Sequence, residues 1–416
     1  MQKLFLLTIT LLIAIHAVAQ NNTGTKSNKE AKTEVRISGT VTDRSSNRKL
    51  ENVSITIPGT NISTVTNADG FFLLKLKHRP QSITVSCIGY ASENITIADD
   101  RTENIRIKML PTGITLPELN VWLNEPEALV MMAIERRDIN FVQTREMHTS
   151  FYRETLQKGN RYIDISEAIL STCKRGYDRG ITGDRVKIKH GRRIMSQRND
   201  DTLSVQILGG PNTPVWLDVV KNENILFEDM RHSCYTFNME LPEVLDGKTQ
   251  IVIAFAPYLI VEWPLYRGKI YLDKQSLAFT RIEMELDMSD RAKATRVMLY
   301  KKPASLRFRP LEMSTVINYH DGRINYMKTV FRFKCDWKRK LFSRTYRCTS
   351  EMVVTDFETN YEGPNIEAKE RFGDREAFIK TLKRFSDASF WDDYNIIEPT
   401  ESLEKAILKK KKKKKK

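Results

Sequence analysis

Long hydrophobic runs are missing from the sequence after its first twenty residues. No later segment has the roughly 20 consecutive apolar residues that a membrane-spanning helix needs, so we expect no transmembrane helix in the mature chain. A strong excess of one charge is missing too. The 416 residues carry a formal charge of +15, and eight of those charges are the terminal lysines Lys409–Lys416. The rest of the chain is only mildly basic, which gives little support for nucleic acid as a partner.

Cysteine is scarce and irregularly spaced. The five cysteines include no CxxC pair, which argues against a redox motif or a zinc knuckle. An odd number leaves at least one thiol unpaired within the chain. A hairpin centred on residues 338–343 would place Cys335 near Cys348, so these two residues are a candidate disulfide. The alternative is two unpaired, half-buried cysteines, because a cross-strand bridge requires strict geometry.

Catalytic motifs are also missing. None of the six histidines begins an HExxH or HxxE pattern, and no two lie within five residues, so a zinc peptidase lacks its ligand spacing. Ser171 and Lys174 match S-x-x-K, but the S-D-N and K-T-G partners of that motif are absent. There is no G-x-S-x-G elbow and no glycine-rich phosphate loop. We therefore predict a protein that is not an enzyme, with no catalytic residues, no cofactor and no metal.

The first nineteen residues have the layout of a secretory signal peptide. Lys3 is followed by an apolar run from Leu4 to Ile15 and then by Ala17-Val18-Ala19. We expect cleavage between Ala19 and Gln20. A membrane anchor is the alternative, but the run is shorter than a bilayer-spanning helix. Residues 20–34 are polar and predict a flexible leader. The sequence thus predicts an exported protein, periplasmic or associated with the outer membrane, and export further disfavours nucleic acid.

Residues 35–110 alternate apolar and polar positions in about seven short stretches separated by turn residues. One turn is Asn67-Ala68-Asp69-Gly70, where glycine supplies a positive φ. Short strands at this density predict an antiparallel β-sandwich.

The order of short motifs in this region resembles the carboxypeptidase-regulatory-like domain, a transthyretin-like β-sandwich. The motifs are Gly39–Asp43, Leu50–Ile55, Pro58–Thr60, Thr66–Phe72 and Ile88–Tyr90. The resemblance implies a non-catalytic module, and the family name is no evidence of peptidase activity.

The remainder of the chain predicts a second, larger module. Residues 111–146 are a linker followed by a helix from Pro126 to about Asn140. Residues 147–360 contain about ten alternating strands, including one over 294–302 and a hairpin turn at His320–Arg323. Residues 370–408 predict two helices, the first capped by Asp374, and residues 409–416 predict a disordered lysine tail. The fold class is therefore mainly β: an N-terminal sandwich followed by a larger antiparallel sheet or half-barrel with a few packed helices.

Two further resemblances bear on function. Residues 266–286 are similar to a strand pair of half-barrel proteins related to periplasmic lipoprotein carriers. The whole chain resembles uncharacterised exported Bacteroidetes proteins that carry this sandwich. Together they imply a non-enzymatic cell-envelope protein with a binding or scaffolding role, whose partner is an envelope protein, a lipid or a polysaccharide. An acyl ligand in the half-barrel is one form of this hypothesis. The alternatives are a small outer-membrane β-barrel protein with an N-terminal sandwich, and a hydrolase with no sequence-local motif.

Overall fold

The computed structural model describes residues 35–98, 102–112, 125–196, 205–207, 209–337, 343–374, 376–385 and 394–414. Of these residues, Val35 and Leu76–Arg79 fall in one unit and the others in a second. The predicted cleavage site at Ala19 and Gln20 lies outside the described residues. Within them, none of the helices has the length and apolar character needed to cross a membrane.

The N-terminal module is a two-sheet sandwich, as predicted. Its strands are β1 (Val35–Asp43), β2 (Ser54–Thr56), β3 (Ser63–Val65), β4 (Phe71–Leu76), β5 (Ser82–Ser86), β6 (Glu93–Thr96) and β7 (Ile105–Met109). The sheet orders are β4-β1-β7 and β3-β2-β5-β6. One detail differs from the prediction of an antiparallel sandwich: β1 and β7 pair in parallel, with Gly39 opposite Ile105. They are not consecutive strands, so no hairpin forces them to be antiparallel.

A glycine allows this parallel pair to form beneath an aromatic ring. A Cβ atom at Gly39 would lie 2.4 Å from the Ile105 carbonyl oxygen and 2.8 Å from the ring of Phe72. No side chain fits there. Alternate residues of β1, such as Ile37 and Val41, point into the sandwich core and are fully buried.

The second module is built on an eleven-stranded sheet, which confirms the predicted larger antiparallel sheet. In chain order its strands are β8 (Glu146–Lys158), β9 (Arg161–Lys174), β10 (Arg185–Met195), β12 (Tyr235–Met239), β13 (Glu243–Leu245), β14 (Lys248–Pro257), β15 (Tyr266–Asp273), β16 (Phe279–Leu286), β18 (Leu306–His320), β19 (Arg323–Trp337) and β20 (Arg344–Glu358). The order is β10-β9-β8-β20-β19-β18-β16-β15-β14-β12, with β13 paired to β14. A separate pair joins β11 (Gln206–Ile207) to β17 (Leu299–Lys301).

Helices cover one face of this sheet. They are α1 (Pro126–Glu135), α2 (Arg137–Asn140), α3 (Thr213–Trp216), α4 (Phe227–Arg231), α5 (Arg291–Met298), α6 (Phe378–Thr381) and α7 (Glu401–Lys414). The main apolar core joins buried side chains of α1, such as Val130, and of α4, such as Phe227, to strand residues such as Ile270 and Met327. We call this the helix-covered face. Helix α7 packs elsewhere, with Leu403 and Ile407 against Ile165 of β9.

The sandwich lies on the opposite face of the sheet. Alternation along β8 sends Tyr152 to the helix-covered face and Phe151 to the sandwich side, where Phe151 packs with Val65 of β3 and Ile397. The Ser63 hydroxyl also donates to the Val354 carbonyl at 2.8 Å. Contacts from both the side chains and the backbone therefore fix the sandwich on the sheet.

Residues 394–399, which we call the C-terminal segment, complete this junction. The Asn67 amide donates to the Glu398 carbonyl at 3.1 Å, and the Thr64 hydroxyl donates to the Ile396 carbonyl at 3.4 Å. From the sheet side, the Arg153 guanidinium donates to the Ile397 carbonyl at 2.8 Å. The segment is therefore bonded to both modules at once.

Three predictions for local structure need correction. Residues 294–302 are not one strand: α5 occupies Arg291–Met298 because the Asp290 carboxylate caps it, accepting from the Ala292 and Lys293 amides. Asp374 caps no helix, since its carboxylate accepts from the Asn212 amide and the helical turn α6 begins only at Phe378. The lysine tail is not wholly disordered, because α7 continues through Lys414.

Candidate functional site

A cleft of about 410 Å³ opens between the sandwich and the large sheet. Its floor is the sandwich-facing side of β16, β18 and β19. Its walls are residues 51–54, which lead into β2, residues 86–88 after β5, and the turn between β13 and β14. Alternation along β18 brings Ser314, Val316, Asn318 and His320 to the same side of the sheet. Hydroxyl and amide side chains share the lining with apolar ones, which include Ile88, Leu245, Val316 and Val330. The hydroxyl and amide side chains include those of Asn52, Ser54, Ser86, Thr280, Ser314, Asn318 and Asn325.

One ion pair spans the cleft from sandwich to sheet. The Lys328 ammonium lies 2.5 Å from the Glu51 carboxylate and 3.9 Å from that of Glu351. Burial acts to lower the pKa of Lys328, but the two carboxylates outweigh it and the pKa is raised. Lys328 is therefore a cation held in place at neutral pH, with Glu51 as its partner in the other module.

Arg281 supplies the second cation of the lining. Its guanidinium donates to the Glu283 carboxylate at 2.7 Å and to the Asn318 amide oxygen at 3.2 Å. It also lies over the ring of Tyr271, 5.9 Å from the centroid. These contacts orient the side chain before any ligand arrives.

Asn52 belongs to the cleft lining and carries an unpaired side-chain oxygen. Its side-chain oxygen is buried and has no hydrogen-bond partner among the described residues. The backbone of Asn52 adopts a φ of 61°, a region that asparagine tolerates better than most residues. Its backbone N–H donates to the Thr66 carbonyl at 3.0 Å. An unpaired buried acceptor of this kind costs stability.

Cys87 brings a thiol to the same lining. Burial raises its pKa to about 11, and the nearby Arg281 only partly opposes that effect. The thiol is therefore protonated at neutral pH and is a poor nucleophile.

The turn between β13 and β14 is fastened to the sandwich. The Gly89 amide donates to the Val244 carbonyl at 2.8 Å, and the Ser92 hydroxyl donates to the Asp246 carboxylate at 2.8 Å. This wall of the cleft is therefore set by hydrogen bonds between the modules.

A second polar cluster is buried under the helix-covered face. The Asp218 carboxylate accepts from the Lys174 ammonium at 2.8 Å, from the Tyr177 hydroxyl at 3.0 Å and from the Tyr319 hydroxyl at 3.1 Å. Beside it, Lys221 is bonded to both oxygens of Asp184, and burial lowers the pKa of Lys221 to about 8. Each of these groups is satisfied by protein, which is the pattern of a structural polar core.

A histidine–acid pair lies near this cluster but has little access to solvent. His148 Nε2 is 2.8 Å from the Glu146 carboxylate, and Arg323 bonds the same carboxylate at 3.0 Å. Burial lowers the pKa of His148 although Glu146 opposes it. The adjoining cavity, lined also by Ser150 and Lys174, holds about 20 Å³. That is room for about one water molecule.

The candidate disulfide is wrong in this structure. β19 and β20 pair in a register that places Cys335 opposite Arg344 and Cys348 opposite Phe331. Both cysteines are free thiols. The centre of the hairpin is shifted from the one assumed, and the two residues are four pairing positions apart.

The two residues of the S-x-x-K match point away from each other in the structure. Ser171 and Lys174 lie on β9, where an odd spacing sends side chains to opposite faces. The Ser171 hydroxyl donates to the Met147 sulfur, while Lys174 is engaged by Asp218. Across the part of the chain that is described, no three His, Cys, Asp or Glu side chains group as metal ligands.

None of the cleft residues was predicted from the sequence to bind a ligand. Ser314, Asn318 and Lys328 alternate with apolar residues along β18 and β19, which is also the pattern of a strand with one solvated face. One weak sequence signal for the cleft was present, since the polar face continues over two long consecutive strands.

Comparison with known proteins supports part of this description. The family model described as the CarboxypepD_reg-like domain matches residues 37–121. The chain therefore has an N-terminal carboxypeptidase-regulatory-like domain, as its motifs predicted. The comparisons do not extend the resemblance to the whole chain, and none of the curated proteins matches it.

Among solved structures, the chain is similar to a DUF1329 family protein from Desulfovibrio piger. The sequence identity is 11%, the match covers 58% of this chain and 95% of that one, and the TM-score is 0.26. A similarity at this level carries no argument about function.

Proposed function

We propose that this is an exported, non-enzymatic protein of the cell envelope that binds a polar ligand in the cleft between its two modules. The observation that carries the proposal is the cleft itself: about 410 Å³, lined by hydroxyl and amide groups from both modules. Binding pockets for small ligands typically start at about 300 Å³. The hydrogen bonds between the modules favour a preformed site.

The lining favours an uncharged ligand. Its formal charges balance, with Glu51 and Asp246 against Arg281 and Lys328. Each of these four charged groups already has a protein partner at 2.5–2.8 Å. Serine, threonine and asparagine side chains both donate and accept, which suits the hydroxyl groups of a sugar. We therefore propose a saccharide unit of an envelope polysaccharide as the ligand class.

An acyl ligand in the half-barrel has less support. Side chains of the sheet and helices pack together across the helix-covered face, where the cavity beside His148 holds about 20 Å³. An acyl chain would need several of these buried groups to move. A lipid probe therefore belongs in the test as the competing ligand.

Binding is tested by saturation-transfer NMR with chitooligosaccharides and, separately, by fluorescence with cis-parinaric acid. The blocking variant is Ser314→Phe, which places a ring in the cleft on a strand that tolerates aromatic residues. The matched control is Ser305→Phe, at an exposed turn before β18. We expect the oligosaccharide to bind wild type and the control equally. It should bind the blocking variant at least about tenfold more weakly, which corresponds to a loss of about 1.4 kcal/mol in binding free energy. Parinaric acid binding without saccharide binding, or equal binding by both variants, would overturn the proposal.

Export is tested independently of the ligand. We expect the N-terminal sequence of the mature protein to start at Gln20, and the protein to fractionate with the periplasm or outer membrane. A cytosolic product that keeps residues 1–19 would contradict this part of the proposal.

A further inference from the structure

The loop between β14 and β15 displays large apolar side chains to solvent. We call residues 258–263 the apolar loop. Ile260 is 96% exposed, Tyr258 70%, Trp263 52% and Leu259 43%. Ordinary surfaces expose single hydrophobic residues, whereas four such side chains within six residues mark an interaction site.

Hydrogen bonds hold the apolar loop in this conformation. The amides of Tyr258 and Leu259 donate to the Cys234 carbonyl at 2.8 and 3.3 Å. The Trp263 indole donates to the Asp229 carboxylate at 3.1 Å, and the Lys293 ammonium donates to the Val261 carbonyl. The side chains are therefore presented on a fastened support.

The size of the patch argues against a stable protein interface as its main use. Four partly exposed side chains offer on the order of 500 Å². A stable dimer needs about 800 Å² on each partner, with close shape complementarity. Ile260 is almost fully exposed, so little of its own chain covers it. A fluid partner can cover such a side chain without a matching pocket.

The residue types fit the interface of a bilayer. Tryptophan and tyrosine favour the region between lipid headgroups and acyl chains, since each has an apolar body and a polar end. The charges beside the loop are mainly acidic, with Asp229, Asp287 and Asp290 against Lys293. Attraction therefore depends on apolar burial and needs no anionic lipid.

We propose that the apolar loop inserts into the interfacial region of a phospholipid bilayer and holds the protein at a membrane surface. The loop shares no residue with the cleft, so this inference stands or falls separately from saccharide binding.

The test is flotation of the full-length chain with phosphatidylcholine vesicles at high salt. Uncharged vesicles and high salt prevent the C-terminal lysines from contributing. The loop variant is Ile260→Glu, and the matched control is Leu241→Glu, because Leu241 is 71% exposed at a different turn. We expect the wild type and the control to float with the vesicles. The affinity of the loop variant for the vesicles should fall at least about tenfold, as the loss of one buried aliphatic side chain implies.

Equal flotation of the loop variant and wild type overturns the proposal, as does failure of the wild type to float. An equal loss in both variants also overturns it, because it would show a general effect of surface charge. Sedimentation equilibrium adds one more test. A wild-type dimer that the loop variant dissociates would assign the apolar loop to self-association instead.

Discussion

At the scale of single residues, two carboxyl groups in the large sheet have effects on stability that can be measured. Glu154 on β8 is only partly exposed, and burial raises the pKa of its carboxyl to about 7, although the Tyr152 hydroxyl opposes this by donating to it at 3.2 Å. The raised pKa means that the folded state binds this proton more tightly than the unfolded chain does. Glu154 therefore lowers stability progressively as pH rises from about 4.5 to about 7.

The Glu154→Gln variant should lack this loss. After a discount for partial exposure, the wild type should lose on the order of 2 kcal/mol across this window relative to the variant. Below the window the difference should vanish. Urea unfolding of both proteins at the two ends of the window measures it, and a constant difference at all pH values would contradict the assignment.

Glu167 provides a second test at this scale. Its fully buried carboxylate binds Arg153 at 2.7 Å and Arg192 at 2.5 Å. The Glu167→Ala variant would leave Arg153 buried without a counter-charge, so we expect a loss of about 3–5 kcal/mol in the free energy of unfolding. Glu312→Ala is the control, since Glu312 pairs with Arg332 at 2.9 Å on the surface and should cost less than about 1 kcal/mol. Comparable losses in both variants would refute this view of the buried pair.

At the scale of elements, the C-terminal segment joins the sandwich to the large sheet. Ile397 packs with Val65 of the sandwich and with Phe151 and Ile169 of the sheet. We expect Ile397→Ala to cost about 2–5 kcal/mol and to increase proteolytic cleavage between the modules. Ile139→Ala, at an exposed site on α2, should stay within about 0.5 kcal/mol of wild type. Chemical unfolding with limited trypsin digestion tests both, and an undisturbed Ile397→Ala protein would argue against the joining role.

Sequence predicted some elements better than others for identifiable reasons. The turn at Asp321 and Gly322 was predictable, because both residues adopt the positive φ that an Asp-Gly hairpin needs. Helix α5 was missed because alternation over residues 294–302 predicted a strand, whereas the Asp290 cap starts a helix just before them. The prediction for Asp374 was wrong for the opposite reason. A residue suited to capping is present, but its carboxylate accepts a tertiary hydrogen bond from the Asn212 side chain instead.

At the scale of the whole molecule, the five free cysteines give a direct test. Burial raises the pKa of the thiols of Cys87, Cys234, Cys335 and Cys348, to about 11 for Cys87 and about 12 for Cys335. We expect the native protein to react slowly with a thiol reagent and the denatured protein to release five thiols without reductant. Fewer than five thiols after denaturation would show a disulfide that this structure lacks.

The candidate site belongs to this scale, and that is why sequence could not predict it. Glu51 and Lys328 form one ion pair although 277 positions separate them. The alternation along β18 predicts that Ser314 and Asn318 share a face, but not that a separate module covers that face. The class of each module followed from local pattern, whereas the cleft depends on how the modules dock.

The course of residues 394–399 has a consequence for biogenesis. The sandwich is synthesised early, yet the carbonyls that Asn67 and Arg153 bond belong to a stretch made more than 240 positions later. This junction between the two modules can therefore be completed only after residues 394–399 have been synthesised. During that interval Phe151 and Val65 lack their late partner, and a chaperone or a slow translocation step would find them uncovered.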